Sequence, residues 1–240
     1  MHAPERARRR AYLEAMGVET WVRRILEPAN VTARAPENLP STERAPATDP
    51  SSALMDWETL ATRVAACTRC ELHQARTQTV FGVGNRQAEW LVIGEAPGAE
   101  EDKRGEPFVG RAGQLLNSML AALGLVRSQV YIANILKCRP PSNRDPQATE
   151  MVCCEPYLLN QIALIKPKII LAVGRIAAQN LLKVQAPMDK LRGQRHVFGV
   201  CEIPLVVTYH PAYLLRSPSE KRRAWQDLLF AQRVFLAQGC

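Results

Sequence analysis

The chain has 240 residues, 47% of them hydrophobic and 22% charged, with a formal net charge of +8. That is enough to bury one substantial domain and carry an appendage. No apolar run reaches membrane-spanning length, and charge fills the N-terminus where a secretory signal needs an apolar segment, so a cytoplasmic protein with no membrane contact is expected.

Residues 5–27 read as an amphipathic helix, with Tyr12, Leu13, Met16, Trp21 and Ile25 as its apolar members and arginines on both flanks. Residues 28–55 are rich in Pro, Ala and Thr with no hydrophobic period, the composition of a disordered linker. These first 55 residues hold eight Lys/Arg against seven Asp/Glu, whereas the remainder holds 23 against 16. The surplus positive charge therefore lies on residues 56–240, read as one folded domain, and favours a polyanionic partner such as nucleic acid. A helix is predicted from about Trp57 toward Ala66, a strand over Trp90–Ile93, and a helix over Ala112–Leu123 with Gly124 as its stop. A second strand follows over Val130–Ala133. Asp145-Pro146 looks like the N-cap and first position of a long helix. Lys168–Val173 is almost wholly aliphatic, as a strand covered on both faces should be. Gly174 begins a short helix to Leu182, Leu205–Thr208 is a fourth strand, and a final helix spans Glu220–Leu236. Strands alternating with helices predict an α/β fold around a central parallel sheet of four strands. In such folds the site lies beyond the carboxyl ends of the strands, where Gly94–Gly98, Asn134 and His210 fall.

Seven cysteines, an odd number in a chain expected to sit in a reducing compartment, argue for metal ligation or burial over disulfides. Cys67 and Cys70 have the spacing of two ligands on one metal, Cys138 follows a strand, and Cys154 lies early in the next helix. Four thiolates suit tetrahedral zinc or a [4Fe–4S] cluster, and the spacing does not choose between them. Cys153 and Cys154 point about 100° apart on a helix, so only one of them is expected to ligate comfortably. Cys201 and Cys240 belong to no motif.

The glycine- and proline-rich run Gly94–Gly98 directly after a strand makes a tight loop whose backbone can approach a ligand. It lacks the Gly-Lys-Ser/Thr of a nucleotide P-loop and the spacing of a dinucleotide fingerprint. Taken in order with Gly105–Gly113, Asn134–Arg144, Cys154–Leu158 and His210–Arg216, it resembles the family-4, iron–sulfur uracil-DNA glycosylases over about three quarters of the chain. The resemblance implies a three-layer α/β/α fold, and a [4Fe–4S] cluster on Cys67, Cys70, Cys138 and Cys154. It implies an enzyme that flips uracil from DNA into a pocket formed in part by Gly94, and that hydrolyses the N-glycosidic bond.

On this reading Phe108 stacks on the base, and the Asn134 amide pairs with O4 and N3–H of uracil, a pattern that cytosine reverses. His210 donates a hydrogen bond to O2 as negative charge grows there in the transition state. The water-activating Asp of better-known uracil glycosylases corresponds to Ala96, so Glu95 is assigned to orient or activate water. Gly98 stands where those enzymes carry a thymine-excluding Tyr, and Glu101 is the candidate for blocking a 5-methyl group. Leu214 and Leu215 are expected to wedge into the duplex, and Lys137, Arg139, Arg144 and Arg216 to contact phosphates. With no lysine placed as a Schiff-base nucleophile, a monofunctional, monomeric enzyme that leaves an abasic site is expected.

The alternative is a DNA- or damage-binding module that kept the fold and lost turnover. A glycosylase trapped covalently on its product would need a His-bearing insertion near residues 137–141, which is missing, and a zinc-structured module is a further reading. The N-terminal run Tyr12–Arg24 is similar to the N-terminal peptide of the replicative clamp loader's ψ subunit. That similarity implies docking on the clamp loader or another repair or replication protein, against the plain reading of a helix packed on its own domain.

Overall fold

Near-continuous aliphatic runs become interior strands because helices cover both of their faces. In the computed structural model, which describes residues 55–238, the chain opens with α1 (Trp57–Ala65) and the short α2 (Leu72–Ala75). A two-residue strand β1 (Val83–Gly84) and β2 (Trp90–Gly94) follow, then α3 (Ala99–Arg104), α4 (Arg111–Ala122) and β3 (Tyr131–Asn134). The long α5 (Ala148–Ile165) leads to β4 (Ile169–Val173), α6 (Arg175–Leu182) and α7 (Met188–Leu191). A hairpin of β5 (His196–Phe198) and β6 (Ile203–Thr208) comes next, then α8 (Pro211–Arg216) and α9 (Lys221–Leu236). The helix expected over 5–27 lies outside the described residues, as does the linker up to residue 54. Met55 belongs to the fold, since it is buried and its N–H donates to Asn160 Oδ1.

The sheet has six strands in the order β1-β3-β2-β4-β6-β5 and is mixed. Its three inner pairs run parallel, while β1 on β3 and β5 on β6 run antiparallel. The expectation of a four-stranded sheet is corrected by these two edge strands, which are too short to show an alternating pattern. Successive residues divide between two cores. Trp90, Val92, Leu171 and Val206 pack with Leu116 and Leu120 of α4 and Leu228 of α9. Leu91, Ile93, Ala172 and Val207 pack with Leu158 and Ile162 of α5 and Ala177 and Leu181 of α6. Helices thus lie on both faces, and a third, smaller core joins Leu60 and Val64 of α1 to Leu136, Cys138, Cys154 and Tyr157.

Helix ends follow local chemistry. Asp56 caps α1 through its side chain on Thr59 N–H. Gly124, in the left-handed region, closes α4 as expected, with Leu125 N–H reaching back to Leu120 O. The expected start of α5 at Asp145-Pro146 is corrected to Ala148. Glu150 reaches back to the Gln147 N–H at 2.8 Å, which moves the helix start along the chain and leaves Asp145 to pair with Arg175. β2 is flanked by β3 on one side and β4 on the other, so the loops leaving their carboxyl ends diverge and open a crevice there.

Candidate active site

A cleft of about 530 Å3 lies at that edge, lined by Glu95, Ala96, Pro97, Gly98, Glu101, Phe108, Asn134, Asp145, His210, Tyr213 and Arg216. Each strand end delivers one part of it. β2 ends on Gly94, whose missing side chain lets two neighbours close in. A Cβ there would meet Asn134 Oδ1 and stand 2.7 Å from Phe108 Cζ. β3 ends on Asn134, in register with Gly94. Asn134 is buried, and among the described residues its Oδ1 accepts no hydrogen bond. A buried, unpaired amide oxygen is costly unless something arriving in the cleft donates to it.

His210 follows β6 and caps α8. Its Nδ1 accepts the Ala212 N–H at 3.1 Å, which leaves the proton of the neutral ring on Nε2 as a donor. Burial first, then the charge of Arg216, pulls the imidazole down to about 4, so the ring is neutral near pH 7. Gly174, at φ +102°, gives it room, since a Cβ there would stand 3.1 Å from the His210 Cβ. The Phe108 ring lies beside the imidazole, with centroids 5.5 Å apart and planes 31° from parallel.

Phe108 sits at φ 54°, a left-handed backbone that costs a non-glycine residue on the order of 1–3 kcal/mol. Glu101 holds the following residues, its Oε1 accepting from Val109 N–H at 2.9 Å and Gly110 N–H at 3.1 Å. Its Oε2 lies 2.7 Å from where a Cβ on Gly98 would be, so the carboxylate fills the place of a side chain at Gly98. Glu95 lies on the cleft wall. Burial, reinforced by the charge of Asp145, raises its carboxyl to about 7, opposed in part by Arg175.

Four of the cysteines gather at the third, smaller core. Cys67, Cys70, Cys138 and Cys154 line one small cavity together with Cys153, Arg76 and Lys137. Cys138 and Cys154 are buried, and Cys67 and Cys70 are half-buried. Arg76 donates to Cys138 Sγ at 3.1 Å and the Lys137 backbone N–H to Cys154 Sγ at 3.3 Å. Among the described residues no group of three or more His, Cys, Asp or Glu side chains is placed so that it could hold a metal ion.

Residues 81–229 match the model of the uracil DNA glycosylase superfamily. The chain belongs to the uracil-DNA glycosylase superfamily. Within it, the chain is 43% identical to a type-4 uracil-DNA glycosylase of Archaeoglobus fulgidus, over 68% of this chain and 85% of the relative. It is 41% identical to a type-4 enzyme of Pyrobaculum aerophilum, covering 72% and 92%, and 42% identical to one of Thermotoga maritima, covering 69% and 86%. The type-4 branch is therefore its place in that superfamily.

Of the glycosylase residues expected from sequence, Glu95, Glu101, Phe108, Asn134 and His210 line one cleft, with Gly94 beneath them. Others fall elsewhere. Lys137, expected on phosphate, is 1% exposed. Its Nζ donates to the Asn134 carbonyl at 3.0 Å and to Gln161 Oε1 at 2.6 Å, and burial lowers it to about 8. Leu214, expected in the duplex, is 1% exposed within the core beneath α8. Leu215 is half-buried, and the large hydrophobic side chain that this helix exposes is Tyr213. Arg144 is held by Glu150, Arg139 bonds Asn143 Oδ1 at 2.7 Å, and Arg216 is exposed on the cleft wall. Sequence reasoning missed Tyr213, Asp145 and Arg111 on the cleft. Tyr213 and Arg111 stood inside motifs without an assigned role, and Asp145 directly after one.

Proposed function

We propose that the protein is a monofunctional uracil-DNA glycosylase of base excision repair, taking uracil flipped out of DNA into this cleft and leaving an abasic site. The observation that carries the reading is the buried, unpaired Asn134 Oδ1 beside the Phe108 ring and the Nε2–H of a neutral His210. Uracil supplies an N3–H for that oxygen, a π-face for the ring, and O2 for the imidazole. As the C1′–N1 bond breaks, electrons move onto uracil and charge grows on O2, so the His210 hydrogen bond strengthens in the transition state. A neutral donor fixed by Ala212 performs this without reorganising. Glu95, as carboxylate, orients or deprotonates the water that adds to C1′. Glu101 fills the space beside Gly98, and to it falls the exclusion of the 5-methyl group of thymine.

Cys67, Cys70, Cys138 and Cys154 are the residues that would hold a [4Fe–4S] cluster, and the donor set fits. Two buried and two half-buried thiols share one cavity, with N–H donors on two of the sulfurs. Such a cluster would supply a covalent tie between the turn after α1, the segment after β3, and α5. Residues 56–240 form the glycosylase domain, and DNA lies across the cleft mouth with Leu215, Arg139 and Arg216 toward it.

The test uses the iron-loaded protein and DNA carrying radiolabelled uracil. Free uracil released, with no base freed from matched cytosine or thymine DNA, is the expected result. Retained binding to the uracil DNA with no base released would replace the enzyme by a damage-binding module.

A further inference from the structure

Arg127 lies in a single 3-10 turn between α4 and β3, 19 positions after Phe108, and its guanidinium reaches back to the segment that carries Phe108. One nitrogen donates to the Pro107 carbonyl; another donates to the Phe108 carbonyl and to Asn117 Oδ1 on α4, both at 3.4 Å. Its hydrogen bonds thus go to two backbone carbonyls and an amide instead of a carboxylate, an unusual use for a half-buried charge. On the same segment Glu101 takes the N–H groups of Val109 and Gly110. Gly113, on the first turn of α4, leaves space for the Phe108 carbonyl, which any side chain there would strike.

We propose that Arg127 is a positioning residue for base recognition: with Glu101 it clamps residues 107–110 and holds Phe108 in its left-handed backbone, so that the ring stays against Gly94 and His210. A left-handed phenylalanine persists only where its surroundings over-determine it. Here Arg127 holds the carbonyls of Pro107 and Phe108 and Glu101 holds the next two amides, and a rigid fork is suited to gripping two carbonyls at once. Release of the fork lets the backbone relax and swings the ring off its face toward His210. The inference rests on the reading of the cleft as a base-binding site.

The test is a double-mutant cycle in the full iron-loaded protein, using Arg127→Met and Phe108→Gly with single-turnover excision of uracil. Glycine adopts the left-handed backbone freely and carries no ring to place. Arg127→Met is expected to slow the otherwise unchanged enzyme by up to about 100-fold, as misplacement near the reacting base does. In the Phe108→Gly background it should cost less than about twofold, since interacting residues are non-additive. Equal losses in both backgrounds, or no loss in either, would overturn the assignment. If Arg127→Met yields no folded protein, Arg127→Lys, which keeps the charge and loses the fork, carries the same cycle with a smaller first step. Amide exchange at Val109 and Gly110 needs no substrate. It should quicken by about tenfold on loss of Arg127 while the β2 and β4 amides stay unchanged. Exchange unaltered at those two amides would refute the clamp, whereas an enzyme inactive on uracil with quickened exchange would refute the base-site reading alone.

Discussion

Glu95 offers the sharpest quantitative test of the chemistry assigned to the cleft. Burial, with Asp145 second, raises its carboxyl to about 7, and His210 stays neutral down to about 4. Glu95 thus changes charge between pH 5 and 8, where His210 stays neutral. If its carboxylate orients or activates water, about one tenth of molecules are competent at pH 6 and about nine tenths at pH 8, a rise of about tenfold in single-turnover rate. Glu95→Gln should flatten that profile and lower the plateau by about 10²–10⁴-fold, the usual range for a lost general base. Asp145→Asn, which removes a charge that raises Glu95, should move the midpoint to lower pH. Stability runs the other way. A carboxyl held above its unfolded value of 4.5 favours the fold at low pH, and that contribution is lost as pH rises from 4.5 through about 7. Glu95→Gln should therefore melt higher than the unsubstituted protein at pH 8 and lose that advantage near pH 4.5. A pH profile unchanged by Glu95→Gln, with full turnover, would remove Glu95 from the mechanism.

Gly94→Ala places a methyl 2.7 Å from the Phe108 ring and against Asn134 Oδ1; excision should fall about 100-fold in rate, and a rate within threefold would show that this approach is not needed. Glu101→Ala empties the space beside Gly98 and should allow measurable release of thymine from T-containing DNA; retained uracil turnover with no thymine release would place the methyl block elsewhere. Leu214→Ala removes a side chain from the core and should cost about 3 kcal/mol, read as a denaturation midpoint, whereas Leu215→Ala should leave stability nearly unchanged and weaken duplex binding. Equal stabilities of the two variants would contradict the placement of α8.

The interior of the sheet was legible because β2, β3, β4 and β6 are aliphatic runs between glycines and polar turns, and burial on both faces leaves little other use for them. The strand ends then located Gly94, Asn134 and His210 without further help. β1 and β5 were not legible, since two and three residues carry no period and their pairing depends on β3 and β6, far off in sequence. Lys137 misled because a lysine beside arginines reads as surface charge. Its acceptors are the Asn134 carbonyl and Gln161, 24 positions on, a pairing that only the packing of α5 on the sheet creates. Leu214 and Leu215 are equivalent in the sequence, an adjacent apolar pair. Once that segment is a helix, adjacent residues point about 100° apart, and only one of them faces the core. Phe108 was recognised by its aromatic ring, but its left-handed backbone and the reach of Arg127 have no local signature.

The most direct measurement is strand breakage of an end-labelled oligonucleotide holding one uracil, with the iron-loaded protein set beside its His210→Ala variant and a thymine control. Breakage only after alkali, only at uracil, and slowed at least 100-fold in the variant is the predicted result, and it would tie monofunctional excision to this cleft. Undiminished breakage by His210→Ala, or breakage without alkali, would contradict it.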